Sequence, residues 1–600
     1  MDQILPGWSI DDPFQIPSSF SASTQPEIDF SSPSALVDQK PPNITGTYLH
    51  RNLTTREIEI TELEAQRTLE LIHRGHWTCV EVTKAFCHRA LLAHQLTNCL
   101  HEICIDQAIA DATILDEHFA EHRAPVGPLH GLVMSLTDSY HAAGMETTLG
   151  LSGWIGTFEG YRGTGKERVF ESEIVRQLKR AGAIFFCKTA VPQALVDSET
   201  VNNIVGFVWN PSNRRLSCTG SSGGEGALLA QKGSMASMGI DQAGGIRIPA
   251  SDNGLYCLRV STGRIPQGDI PYIMNRQSTI LPGIGPIANS IGSLRLILKS
   301  ILEAKPWLYD PLVVELAWRE DKAAEILELI DSSQINQPQK KPLAFGILAT
   351  DGFSTPQPPI RRALRMAVEA LTRRGHRVMA WEPPTHIQAY NIAMNSFLCD
   401  GGQNIHRAIA LSGEPMTEQL KHLYGTSPFP EMTAGSLSEI TRLRYDFQTA
   451  YLKYWESTRN LTGTGQPVNA VISPVSFSAG IRPHGNIMSG MDILIFWDPE
   501  TVNPSSYDIY LGHSIWVDVL DYTSVVVPIT FVDKVLDTPD CVDAAVNALD
   551  RKATLSLAVD ADLYHGTPVG LQIVCPRFHE ESALALAELL VHALDVSRNV

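Results

Sequence analysis

The sequence predicts a single large α/β domain with a mixed central β-sheet flanked by helices. Three observations carry this expectation. Helical and extended patterns alternate from Pro125 onward, two glycine-rich loops fall at junctions between such elements, and 44% of the 600 residues are hydrophobic against 19% charged. Alternating helix and strand signals are the pattern of layered α/β folds, and the composition suits an ordinary globular chain with a large core. Length alone would allow several domains of about 150 residues. One compact domain with an elaborated middle is the simplest account.

Residues 1–50 are rich in Ser, Pro and Asp and read as an extended arm, partly disordered at its start. Residues 51–600 are expected to form the domain, with its core at 123–306 and 521–600 and an elaborated substrate-side region at 307–520. Thr54-Thr55-Arg56-Glu57 has the spacing of a capping box. Helical patterns follow over Thr61–Arg74 and Thr78–Gln95, and in the second Val82, Phe86, Ala90 and Ala93 share one core-packing face. Leu132–Leu136 reads as a buried strand, Ser172–Ala181 as a helix and Ala183–Cys187 as the next strand. Further on, Pro359–Arg374 reads as a helix, with strands at Arg377–Trp381 and Asn469–Ile472. Between them Asn391–Arg459 is mostly helical and expected to lie over the site. Ser524–Phe531 and Val569–Val574 return to strand patterns, Asp537–Asp562 is polar and insertion-like, and Glu580–Leu594 closes the chain as a helix.

The formal net charge of −18 sets the chain against nucleic acid, which is itself anionic. Ten cysteines are scattered without CxxC pairs or His clusters. That pattern fits reduced, buried thiols in the cytoplasm better than a disulfide framework or a metal site, and no cofactor is implied. The N-terminal MDQILPGWSIDDPF lacks the basic and apolar regions of a secretory signal. No apolar run approaches the ~20 residues of a membrane span, so no membrane association is expected.

The chemistry-bearing stretch is Ser217–Pro249. It holds the loops Thr219-Gly220-Ser221-Ser222-Gly223-Gly224-Glu225-Gly226 and Asp241-Gln242-Ala243-Gly244-Gly245-Ile246-Arg247. Glycine permits positive φ and close backbone approach, so two such loops around adjacent serines suggest a site built from main-chain N–H groups. A Gly/Ser run is commonly a flexible linker, but Gly226-Ala227-Leu228-Leu229-Ala230 follows at once and can begin a buried helix.

These residues resemble the amidase signature family, in particular its fungal acetamidase or general amidase branch. Supporting segments are LTNCLHEI at Leu96–Ile103, RAPVGPLHGL at Arg123–Leu132, METTLGLSGW at Met145–Trp154, ETVNNIVG at Glu199–Gly206, DYTSVVVPITF at Asp521–Phe531 and LYHGTPVGLQIV at Leu563–Val574. The resemblance implies the amidase signature fold and hydrolysis of small carboxylic amides to acid and ammonia by a Ser-Ser-Lys triad. In that scheme a nucleophilic serine attacks, a second serine relays its proton to a neutral lysine, and backbone N–H groups hold the oxyanion.

By the same resemblance the bridging serine falls on Ser221, with Ser222, Gln242, Ala243 and Gly244 in the oxyanion and substrate-binding set. The nucleophile position falls on Gly245, which has no hydroxyl. The lysine position, in Gly131-Leu132-Val133-Met134-Ser135-Leu136-Thr137-Asp138, falls on Thr137. Asp241, Arg247 and Pro249 anchor one register and Gly131, Ser135 and Asp138 the other. Thr219 and Ala243 also replace family glycines, and Ala243 would be strained if its position needed positive φ. Removing a nucleophile or its base lowers turnover on the order of a million-fold, and losses within one catalytic unit do not add. About a thousand-fold over water would remain from the oxyanion hole and binding.

Three function classes follow. The first is a degenerate or repurposed amidase, a pseudoenzyme for standard hydrolysis, that binds a small amide or related metabolite. The second is an active amidase using substitutes, with Ser222, Thr137 or Cys218 as nucleophile and His130, His141 or Lys188 as base. The third is a non-catalytic scaffold. A homodimer is the default assembly, and the first reading is preferred.

Overall fold

Runs of β-branched, aromatic and aliphatic residues too continuous to alternate build the centre of the molecule. β1 spans Leu100–Ile103, β2 Leu132–Thr137 and β3 Ala183–Thr189, and a small hairpin follows as β4 (Val201–Asn202) and β5 (Gly206–Phe207). β6 spans Ala236–Asp241, β7 Tyr256–Arg259, β8 Gly283–Ala288, β9 Ala344–Ile347 and β10 Arg377–Ala380. β11 (Ala470–Pro474), β12 (Thr523–Phe531) and β13 (Pro568–Cys575) complete the set. Every residue of β2, β3, β11 and β13 is buried, as expected for strands covered on both faces. The computed structural model describes residues 43–274, 279–330, 342–352, 354–483, 511–538 and 561–598.

Among these residues eleven strands form one sheet in the order β1-β3-β2-β6-β8-β7-β12-β13-β11-β9-β10. β3, β2 and β6 run parallel, as do β11, β9 and β10, while β8, β7, β12 and β13 pair antiparallel between these two groups. Helices Glu580–Arg598 and Ile291–Glu303 pack on β12, β13, β7 and β8. The Cys79–Thr97 helix packs against the Ile105–His122 helix and β2. The main apolar cluster joins Phe86, Met134, Phe185, Val525, Leu571 and Leu586.

The α/β class and the mixed, helix-flanked sheet agree with the sequence expectation. The expected Ser172–Ala181 helix spans Glu173–Arg180, and Pro359–Arg374 spans Pro358–Arg373. Thr61–Arg74 is corrected. The chain there holds two helices, Thr55–Glu62 and Ala65–His73, because Leu63 and Glu64 take extended ψ of 147°. The capping box at Thr54 and Glu57 is present, its side chains exchanging bonds with each other's N–H. Of the expected arm, residues 1–42 lie outside the described residues, and 43–50 end in one helical turn, Thr47–His50, with Leu49 buried. Most of the insertion-like Asp537–Asp562 also lies outside them.

The Asn391–Arg459 region is largely helical. The His386–Phe397 and Ala434–Ser457 helices pack on the Gly512–Leu520 helix, and Ser514 of that helix donates to the carbonyl of Ala243 at 3.1 Å. The elaborated region therefore bears on the second glycine-rich loop through one intervening helix.

Candidate active site

Three parallel strands set the stage. β3, β2 and β6 are adjacent, so their C-terminal ends bring Thr189, Thr137 and Asp241 to one edge of the sheet, with Thr137 directly paired to Thr189. The second glycine-rich loop leaves β6 there and enters the Arg247–Asp252 helix. The first loop enters the Gly223–Ala230 helix, and Ser222 N–H donates to the Gly245 carbonyl at 2.9 Å, tying the two loops together. Helix starts and glycine turns at the carboxyl edge of parallel strands are where main-chain donors converge.

Asp241 shapes the second loop. Its carboxylate accepts from the N–H groups of Gly244 (2.8 Å), Ile246 (3.3 Å) and Arg247 (3.3 Å). Arg247, wholly buried, bonds Asp241 and Asp518, and Asp518 in turn takes Arg259 Nε at 2.7 Å. Burial would raise the Asp241 carboxyl, but Arg247 holds it far below the usual carboxylate range. Burial and the neighbouring Asp241 push Asp518 up to about 7. The N–H groups of Gln242, Ala243 and Gly245 have no acceptor among the described residues, which leaves them open to a ligand oxygen.

Gly244 has φ +106°, a conformation side chains avoid, and a Cβ there would meet Ser514 Oγ at 2.5 Å. Ala243 is not among the positive-φ residues, so its substitution for glycine brings no backbone strain. Thr219 does adopt φ +62°. Its N–H donates to Ser217 Oγ at 3.0 Å and its carbonyl accepts from Thr200 Oγ1 at 2.8 Å, which holds it there.

The structure brings Ser221 and Gly245 together. A Cβ on Gly245 would stand 2.8 Å from Ser221 Oγ and 2.6 Å from the Ile240 carbonyl oxygen. The backbone has closed over the place where a side chain would start. Ser221 Oγ makes no hydrogen bond to any described residue and Ser221 is only partly buried. Ser222 is buried, with Oγ 2.8 Å from where a Cβ on Gly239 would stand. Gln242 Nε2 donates to the Ile280 carbonyl at 2.7 Å.

Thr137 is 2% exposed, and its hydroxyl lies against the carboxyl of Glu225, lowering that group's proton affinity without an aligned bond to Oε2. Thr189 Oγ1 donates to Glu225 Oε1, while Oε2 has no partner and is buried. Burial lifts the Glu225 carboxyl to about 7 against an ordinary 4.5, with the neighbouring Asp138 adding to the rise and the threonine hydroxyls opposing it. Sequence reasoning did not single out Glu225. Its signal was an acid in the first turn of a helix otherwise opened by Gly and Ser, four residues after Ser221.

The other candidate bases and nucleophiles are engaged elsewhere. Lys188 is fully buried and donates to Asp138 Oδ1 (3.1 Å), the Glu146 carbonyl (3.0 Å) and Thr147 Oγ1 (3.3 Å). Asp138 also accepts from Thr148 and meets His101 Nδ1 at 2.8 Å; burial would raise it, but Lys188 and His101 hold it to about 2. His130 packs beside His73 and Phe119, and burial lowers it to about 4. His141 stacks on Phe158 and faces Glu159. Cys218 is buried, which pushes its thiol well up and keeps it protonated. No group of three or more His, Cys, Asp or Glu among the described residues is arranged to hold a metal ion, and no described helix is long and apolar enough to cross a membrane.

Among the described residues, an eleven-stranded mixed sheet carries two joined glycine-rich loops at one edge, and comparison with known proteins assigns this frame to the amidases. A family model described as Amidase matches residues 81–584, and the chain belongs to the amidase signature family. It is 37% identical over 540 residues to the acetamidase of Emericella nidulans, covering 89% of this chain and 90% of that protein. To the acetamidase of Aspergillus oryzae it is 37% identical over 536 residues, with 89% and 90% covered. Among solved structures it is similar to fatty acid amide hydrolase, at 28% identity and a TM-score of 0.80, covering 94% of this chain and 91% of that one.

Proposed function

We propose that this chain keeps an acetamidase-type site for small carboxylic amides or related acyl compounds but does not run the family's Ser-Ser-Lys hydrolysis. The observation that carries this is at Gly245, where the hydroxyl is missing and the carbonyl of Ile240 occupies the approach to a side chain at 2.6 Å. Thr137 supports the same reading. A threonine hydroxyl against the Glu225 carboxyl cannot act as the neutral amine that a lysine would supply. Lys188 does not replace it, since it is committed to Asp138, the Glu146 carbonyl and Thr147. What remains is the Ser221 hydroxyl, the open N–H groups of Gln242, Ala243 and Gly245, and a buried carboxyl.

The family relatives named acetamidase make small amides the first ligands to try. The test compares the natural chain with Thr137→Lys/Gly245→Ser for release of acetate from acetamide and of acid from its homologues. The expected result is release by the natural chain close to the buffer rate, at least a thousand-fold below the paired variant. Acetamide should still raise the thermal midpoint of the natural chain. Acetate release by the natural chain well above buffer would overturn the reading.

A further inference from the structure

We propose that Ser221 takes an acyl group from activated acyl compounds, esters or thioesters, with Glu225 as the proton acceptor working through the Thr137 hydroxyl. The proposal rests on the acyl-binding site inferred above and gives it a reaction that does not need the missing residues.

The order of the sheet brings the three groups to one edge. β2 lies between β3 and β6, so Thr137 stands between Thr189 on one side and the β6 loop with Gly245 on the other. Glu225 is held by the Thr189 hydroxyl through Oε1, its second oxygen is buried and without a partner, and the Thr137 hydroxyl lies against the same carboxyl. Ser221 is at the Gly245 side, 2.8 Å from where that residue's Cβ would begin. With no side chain on Gly245, no Cβ stands beside Ser221 Oγ, which borders the loop that carries the N–H groups. The hydroxyl has no described acceptor or donor to hold it back, unlike Ser514 or Ser217, which are both committed to backbone or loop partners.

The step balances without any added reagent. Ser221 Oγ attacks the acyl carbon and forms the new C–O bond. Its proton passes to Thr137 Oγ1 while the Thr137 proton passes to the Glu225 carboxylate. The bond to the alkoxide or thiolate collapses, and that leaving group departs as alcohol or thiol with the proton returned from Glu225. Water then cleaves the acyl-serine by the same route. Esters and thioesters suit this chemistry better than simple amides, because an alkoxide or thiolate leaves with far less help from the returned proton than the more basic amine requires.

Glu225 must be ionised to act, so acylation rises with pH through the neutral range. The groups that face it are Asp138 after β2, Tyr140 in the following loop, Cys99 before β1 and Cys187 on β3. Asp138 is already paired with Lys188 and His101, and burial keeps Tyr140, Cys99 and Cys187 neutral. Glu225 is therefore the member of the set that titrates near neutrality.

The experiment uses the full chain with p-nitrophenyl acetate and, separately, a fluorophosphonate, read by intact mass, peptide mapping and the burst of p-nitrophenol. One adduct on the peptide containing Ser221 is expected, absent in Ser221→Ala. Acylation should fall about 100-fold in Glu225→Gln, the low end for loss of a general base, and its rise with pH should disappear. Thr137→Val, of the same shape, should fall alike, which keeps the result readable if one variant folds poorly. No adduct, an adduct mapped elsewhere, or a Ser221 adduct formed at the same rate and pH profile in both variants would overturn the proposal. If no adduct forms while acetamide still stabilises the chain, this inference fails and the binding reading stands. If acetamide itself is hydrolysed, the binding-without-hydrolysis reading fails instead.

Discussion

Glu225 gives the sharpest stability test of the site. Its carboxyl is ordinary in the unfolded chain, near 4.5, and is raised to about 7 in the folded one by burial. A carboxyl raised by folding stabilises the folded state in its protonated form. That stability is complete below pH 4.5 and is lost as pH rises from 4.5 through 7. At about 1.4 kcal/mol per pH unit the interval corresponds to about 3 kcal/mol. Glu225→Gln removes the titration while keeping shape and an acceptor for Thr189. Urea unfolding of both chains should be followed at pH 5, 7 and 8.5. At pH 5 the variant is expected to be the weaker by about 1 kcal/mol, because its buried amide N–H₂ has no well-aligned acceptor where Oε2 lies without a partner. By pH 8.5 it should be the more stable by about 2 kcal/mol. Asp518, also near 7, titrates in both chains and cancels from the difference. A difference that stays constant within about 0.5 kcal/mol from pH 5 to 8.5 would refute the argument that Glu225 is buried without a compensating cation.

Two further substitutions probe the frame. Lys188→Met leaves Asp138 buried with His101 as its remaining ionisable partner and should destabilise the chain by about 3–5 kcal/mol at pH 7. Because Asp138 is depressed to about 2 from an ordinary 3.8, the stability it contributes is present above pH 3.8 and fades as pH falls through 2, so the gap to the natural chain should narrow on acidification, as read by urea midpoints. Gly245→Ser alone puts a Cβ 2.6 Å from the Ile240 carbonyl oxygen, which the loop must yield to. A loss of about 1–3 kcal/mol is expected from such overpacking, measured by denaturant unfolding, and no loss would mean that the loop has slack the present geometry does not show.

Much of the frame was legible because its signals are local. The continuous apolar runs at Ala183–Cys187, Ser524–Phe531 and Val569–Val574 lengthen by one or two residues in the structure but keep their type. The capping box at Thr54 and Glu57 forms as its spacing requires. The split of Thr61–Arg74 into two helices was not legible, since Leu63 and Glu64 carry no breaker and take extended ψ in the folded chain.

The site divides in the same way. Sequence by itself determined that position 245 has no hydroxyl and position 137 no amine, and, through the glycine pattern, that two loops would offer main-chain N–H groups. Only the tertiary structure decided that Lys188 is spent on Asp138, that Arg247 is shared between Asp241 and Asp518 about 270 positions later in the chain, and that Glu225 sits buried beside Thr137 and Thr189. The reason is that proton affinity and the availability of a group are set by what surrounds it, by desolvation and by the charges within a few ångströms. In a sheet with crossed strand order those neighbours come from segments far apart in sequence.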